Sequence, residues 1–129
     1  MILLDTDILI DAEMYSFDTT EMYTASILSR AELELGVHRA KTACERQERQ
    51  ARLALLDTWL DWLTFDVAAS RGYGLVAGQA NLTRARPRNK DALIAGQAYS
   101  LGLPIMTRNI ADYEPFSAHI VLIEPQRKY

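Results

Sequence analysis

Short apolar runs that lead into carboxylates constrain this chain more than any other feature. Ile2 to Leu4 runs into Asp5, Tyr23 to Leu28 is followed one short turn later by Glu32, and Leu103 to Met106 is followed by Asn109 and Asp112. Ile120 to Ile123 is a fourth run of the same kind. Compact apolar runs of this length suit strands of a sheet covered on both faces. Helical patterns lie between them. Leu53, Leu56, Leu60 and Leu63 recur at three- and four-residue steps, so Arg46 to Leu63 reads as a helix, charged in its first half and amphipathic in its second. Asp66 is placed to cap another helix running toward Ala80. Leu93, Ile94, Gln97, Ala98 and Leu101 mark one face of a helix that starts near Asp91 and stops at Gly102, with Pro104 just beyond. Strands separated by helical crossovers predict an α/β fold with a mainly parallel sheet flanked by helices. In such sheets ligands gather beyond the carboxyl ends of the strands. Asp5, Glu32, Asp91, Asn109 and Asp112 would then converge on one rim.

Composition narrows the classes. With 129 residues, 49% apolar, the chain suits one domain over residues 1–129 with one modest core. The opening Met-Ile-Leu-Leu-Asp has no basic segment before an apolar one, and no uncharged run is long enough to cross a bilayer, so a cytoplasmic, soluble protein is expected. Cys44 is the only cysteine, which excludes an intrachain disulfide and a thiolate metal site. His38 and His119 have no zinc-type spacing and read as surface or packing residues. A net charge of −3 argues against a general nucleic-acid binder. Arg84, Arg86, Arg88 and Lys90, however, crowd just before Asp91 and form a candidate grip for phosphates, with a solvated loop as the plain alternative.

Taken singly, each acidic residue has an ordinary explanation. Ser29-Arg30-Ala31-Glu32 has the spacing of a capping box, Asp91 suits a helix start, Asp112 suits a turn, and Asp5, Asp7 and Asp11 suit solvated loops. The set is harder to explain, because each close pair of carboxylates costs about 4 kcal/mol at an effective dielectric of about 20. A divalent cation is the usual compensation. All-oxygen ligands select a hard ion, Mg²⁺ or Mn²⁺, and such ions activate water and offset charge on a phosphoryl oxygen. That is nuclease or phosphatase chemistry.

At this point the sequence resembles a known family. Leu3-Leu4-Asp5-Thr6-Asp7-Ile8-Leu9-Ile10 looks like the first motif of PIN domains, and Ser26 through Gly36, with Ala31-Glu32-Leu33-Glu34-Leu35-Gly36, looks like the second. Asp91-Ala92-Leu93-Ile94-Ala95 looks like the third, and Thr107-Arg108-Asn109-Ile110-Ala111-Asp112-Tyr113 the last. Order and spacing agree over nearly the whole chain, most closely with the VapC-type toxins of toxin–antitoxin pairs. The resemblance implies a Mg²⁺-dependent endoribonuclease acting on RNA, usually a homodimer, silenced by a small antitoxin whose tail occupies the acidic site. It places Asp5, Glu32 and Asp91 on the family's principal acidic positions and makes Asn109 with Asp112 the fourth. The implied catalytic set is Asp5, Glu32, Asp91 and Asp112, with metal held by Asp5, Asp91, Asn109 and Asp112. Thr6, Thr107 and Arg108 are candidates for substrate positioning, with strand-end hydroxyls as the plain alternative for the two threonines. Asp7 stands where the family often has Asn or Ser, an extra charge for the site or its surroundings.

Two other readings compete. Asp5-Thr6-Asp7 after an apolar strand, with Pro104-Ile105-Met106-Thr107, mimics haloacid-dehalogenase-like phosphatases, but that chemistry needs a downstream lysine and acidic pair and leaves Glu32 idle. A non-catalytic module that binds RNA or a protein is weakened by the complete set of acidic positions.

Overall fold

The computed structural model describes residues 1–82 and 89–129, and the candidate phosphate-gripping residues Arg84, Arg86 and Arg88 lie outside them. In chain order the elements are β1 (Ile2–Leu4), α1 (Thr6–Ile10), β2 (Tyr15–Ser16), β3 (Tyr23–Ser26), α2 (Ile27–His38), α3 (Ala43–Trp59) and β4 (Trp62–Leu63). There follow α4 (Val67–Leu82), α5 (Asn89–Leu101), β5 (Ile105–Met106), α6 (Ile110–Tyr113), β6 (Leu122–Ile123) and β7 (Gln126–Arg127). Five strands form one sheet in the order β4-β3-β1-β5-β6, every pair parallel. This is the α/β architecture the apolar runs predict.

The chain builds outward from β1 to β3 and β4 on one side, then crosses to β5 and β6 on the other. The strand order therefore reverses beside β1, and such a switch leaves a crevice at the carboxyl ends of the central strands. Register fixes what lines it. Leu4 pairs with Met106, and Asp5 N donates to Met106 O at 3.0 Å, so Asp5 and Thr107 leave their strands side by side.

Alternation along the strands supplies a core on each face of the sheet. Leu3 and Ile105 pack with Val76, Ala95, Ala98, Tyr113 and Phe116, whereas Leu4 and Met106 pack with Ile8, Leu9, Ala25, Leu56 and Leu60. Gln97 is a polar residue buried in the middle of α5; its amide nitrogen donates to Leu63 O and Thr64 O at 3.0 and 2.9 Å, tying α5 to the end of β4.

The structure corrects several element bounds. The helix expected over Arg46 to Leu63 is α3, Ala43–Trp59; it stops at Leu60, whose backbone is extended, and Trp62–Leu63 is an edge strand against Ala25 and Ser26. The leucine spacing runs on past the helix because Leu60 still faces the core from extended chain. Thr42 caps α3 by accepting from Glu45 N at 3.1 Å, while Glu45 accepts at 3.1 Å from Lys41 N, one residue before the cap, a reciprocal cap with its return bond displaced by one residue. The second strand ends at Ser26, not Leu28, because Ser26 caps α2 by accepting from Leu28 N at 3.0 Å. Asp66 does cap α4, accepting from Ala69 N at 2.9 Å, and Gly102 ends α5 at a φ of +66°. The third and fourth strands are shorter than the apolar runs that announce them.

No helix among the described residues is long and apolar enough to cross a membrane.

Helices α4 and α5 cross at Gly72 and Gly96, where a Cβ on Gly96 would overlap the backbone of Tyr73 and one on Gly72 the carbonyl of Gly96. Gly96→Ala should therefore lower stability by about 2–3 kcal/mol through overpacking, read from the urea midpoint. Gly78→Ala meets nothing within 4 Å and should be neutral or mildly stabilising, since alanine is the better helix former. Equal effects of the two substitutions would contradict the close crossing.

Candidate active site

The site begins with what β1 delivers at its carboxyl end. Asp5 is 5% exposed and caps α1: its Oδ1 accepts from Thr6 N at 2.9 Å and from the Tyr113 hydroxyl at 2.9 Å. Its Oδ2 accepts from the Thr107 hydroxyl at 2.9 Å. A buried carboxylate is tolerated only where donors replace its water, and Asp5 has three. Two residues on, at the start of α1, Asp7 points to the same loop. Its Oδ2 accepts from Arg108 N at 3.2 Å, from Asn109 Nδ2 at 3.1 Å and from Thr107, 3.2 Å away. Thr107 carries a single hydroxyl proton and so serves one of the two aspartates at a time.

The other acids come from helices. Glu32 lies on α2, its Oε1 accepting from the Thr6 hydroxyl at 2.9 Å and its Oε2 paired with Lys90 Nζ at 2.9 Å. It is not part of a capping box: α2 starts two residues before Ser29 with Ser26 as its cap, and the buried Ser29 hydroxyl instead lies 2.8 Å from Thr6 Oγ1. Asp91 is 3% exposed in the first turn of α5. Tyr113 links it to the rest. Burial raises the Tyr113 hydroxyl well above the usual phenol range, followed by the charges of Asp5 and Asp91 and, more weakly, Asp7, so Tyr113 remains a donor.

The structure thus joins Asp5 to Tyr113, Asp5 to Asp7 through Thr107, and Glu32 to Asp5 through Thr6, with the charge of Asp91 felt at the Tyr113 hydroxyl. Asn109 and Asp112 sit at the start of α6, Asn109 exposed and bonded to Asp7, Asp112 half-buried. Thr6 and Thr107 are buried, their hydroxyls engaged by these carboxylates. Arg108 turns its guanidinium to Asp11 at 2.8 Å and the Tyr15 hydroxyl at 3.3 Å. Sequence reasoning gave no role to Tyr113 and gave Ser29 only that of a helix cap. Nothing in the last motif marks the tyrosine as the donor to a residue 108 positions earlier, since that contact depends on the sheet register. Asp7 carried a signal, its spacing of two from Asp5.

Several observations bear on a cation. Asp7 Oδ1 is buried without a hydrogen-bond partner, and burial, then the neighbouring Asp5 charge, pushes the Asp7 carboxyl above its usual range. This crowding of like charge, with oxygen donors throughout, fits a hard divalent ion in chemistry. Among the described residues no three acidic, histidine or cysteine side chains close around one point. Beside the acids, a cleft of about 490 Å³ opens between α1, α2 and α3, reached from Thr6 and Glu32 and floored by Ile10, Leu33 and Leu53.

No family model and no curated protein sequence matches the chain. Solved structures do. A member of the VapBC family of toxin–antitoxin systems from Mycobacterium tuberculosis, VapBC-5, is 24% identical, with 97% of each chain covered and a TM-score of 0.80. VapBC2 from Rickettsia felis, bound to a DNA fragment from its promoter, is 20% identical over 98% of this chain and 100% of that one, with a TM-score of 0.81. The DNA-bound VapBC from Salmonella typhimurium is 21% identical over 96% and 98%, with a TM-score of 0.80. The five-stranded parallel sheet and its flanking helices are the PIN-domain fold of VapBC toxin–antitoxin structures.

Proposed function

We propose that the chain is a Mg²⁺- or Mn²⁺-dependent endoribonuclease and the toxin of a toxin–antitoxin pair. The observation that carries this reading is the crowding of Asp5 and Asp7 on the single Thr107 hydroxyl, with Asp91 buried in the first turn of α5, at the strand switch of a fold found in VapBC complexes. The same likeness supports a small antitoxin as partner, and the proposal includes assembly as a homodimer. With a divalent cation held by Asp5, Asp91 and the Asn109 and Asp112 pair, the site would supply activated water and positive charge against the phosphate. Tyr113 and Thr107 would keep Asp5 oriented, Thr6 would hold Glu32 toward the same rim, and Glu32 would take the proton of the attacking water.

Three outcomes test the assignment. Millimolar Mn²⁺ should raise the melting temperature by binding the native state preferentially, and Asp91→Asn should blunt that rise; equal rises in both proteins would sink the site. Glu32→Gln removes a half-exposed ion pair, so stability should fall by under about 1 kcal/mol. RNA cleavage should nevertheless drop by about a hundredfold or more, and near wild-type turnover would refute the role given to Glu32.

The third outcome concerns pH. Asp7 has its folded-state pKa raised, so the folded protein binds a proton more readily there than the unfolded chain. That contribution to stability is present at low pH and lost as pH rises through the folded pKa. In the presence of a chelator, Asp7→Asn should therefore raise the melting temperature at pH 7, and the gain should shrink on acidification. A gain independent of pH would contradict this electrostatic account of Asp7.

A further inference from the structure

Lys90 is the point where the chemistry of the acidic site meets its only described neighbour from the basic run. It stands in the first turn of α5, next to Asp91, and reaches across to α2, where its Nζ lies 2.9 Å from Glu32 Oε2. The pair is 58 residues apart in sequence and half-exposed, at 31% and 35%. Glu32 is consequently held at both oxygens, by Thr6 on one side and Lys90 on the other.

We propose that Lys90 is a resident counter-cation of the site, exchanged between two anions: it neutralises Glu32 in the resting protein and moves onto an RNA phosphate when substrate enters. This rests on the ribonuclease reading above and deepens it by assigning the switch in partner to one residue. Three features support the exchange. An ion pair this open to solvent is weakly held, so Lys90 can leave. Its ammonium is a compact point charge on a flexible stem, suited to a phosphate without the fixed geometry of a guanidinium. Its neighbour in sequence is a proposed ligand, so an ammonium over Glu32 opposes a divalent cation arriving beside Asp91. Until the phosphate draws it off, Lys90 and the divalent ion compete for the same negative charge. Arg108 cannot take this part in the arrangement described, because its guanidinium faces Asp11.

Mn²⁺ titration of the full chain without RNA, followed by electron paramagnetic resonance, tests the competition. Lys90→Met should bind Mn²⁺ about fivefold or more tightly than wild type. Lys90→Arg, which keeps the charge, should stay near wild type, as should Lys128→Met, which removes a charge at the C-terminal end. The phosphate half is tested by binding single-stranded RNA in a chelator over a range of salt. Lys90→Met should flatten the slope of log affinity against log salt by about 0.7, one phosphate contact on a single strand. An unchanged Mn²⁺ affinity in Lys90→Met, or an unchanged salt slope, overturns the exchange while leaving the ribonuclease reading intact. A wild-type protein that binds no Mn²⁺ and cleaves no RNA brings down both.

Discussion

The structure depends on keeping one carboxylate buried at the end of its central strand. Removing a carboxylate from water costs several kcal/mol unless donors replace the lost hydration, and Asp5 meets that demand with a helix N-terminus and two side-chain hydroxyls. Each donor comes from a different part of the chain. Thr6 begins α1, Thr107 follows β5, and Tyr113 ends α6, so the three are brought together only when β1 and β5 pair in the observed register. Folding and site assembly are therefore one event: a shift of register between β1 and β5 would move the Thr107 hydroxyl away and leave Asp5 without it.

The same economy creates the strain that function can use. Thr107 has one proton for two aspartates, Asp7 keeps a buried oxygen without a partner, and Glu32 needs an ammonium from α5. Protein donors have answered each charge partly, and the remainder is negative. Such a surface favours cations from outside.

Much of this was legible in the sequence, for physical reasons that differ by element. Burial writes itself as apolar runs at β1, β5 and β6, β3 shows as a mixed run from Tyr23, and the positions of acids just after β1, β3 and β5 locate the rim. Gly102 and Asp66 marked a helix end and a helix start through their own backbone and capping chemistry. What failed was short or non-local. A two-residue edge strand such as Trp62–Leu63, or the β2 and β7 pair joining Tyr15 to Arg127, has no period to detect. The Ser29 to Glu32 spacing mimicked a cap because the same residues were instead meeting Thr6 from α1, while the true reciprocal cap at Thr42 to Glu45 lay in a stretch read only as charge. The partners of Asp5 were hidden most deeply, since a tyrosine in one motif and a carboxylate in another carry no shared pattern until the sheet is formed.

The central claim is that these carboxylates direct hydrolysis by water, with no role for the ribose 2′-hydroxyl. It is tested most directly by the ends left on RNA cut by the purified chain in Mn²⁺, compared with Asp5→Asn and with chelator. Cleavage should yield 5′-phosphate and 3′-hydroxyl ends, and should disappear in both controls. Cyclic 2′,3′-phosphate ends, or cleavage that survives chelation, would contradict the account.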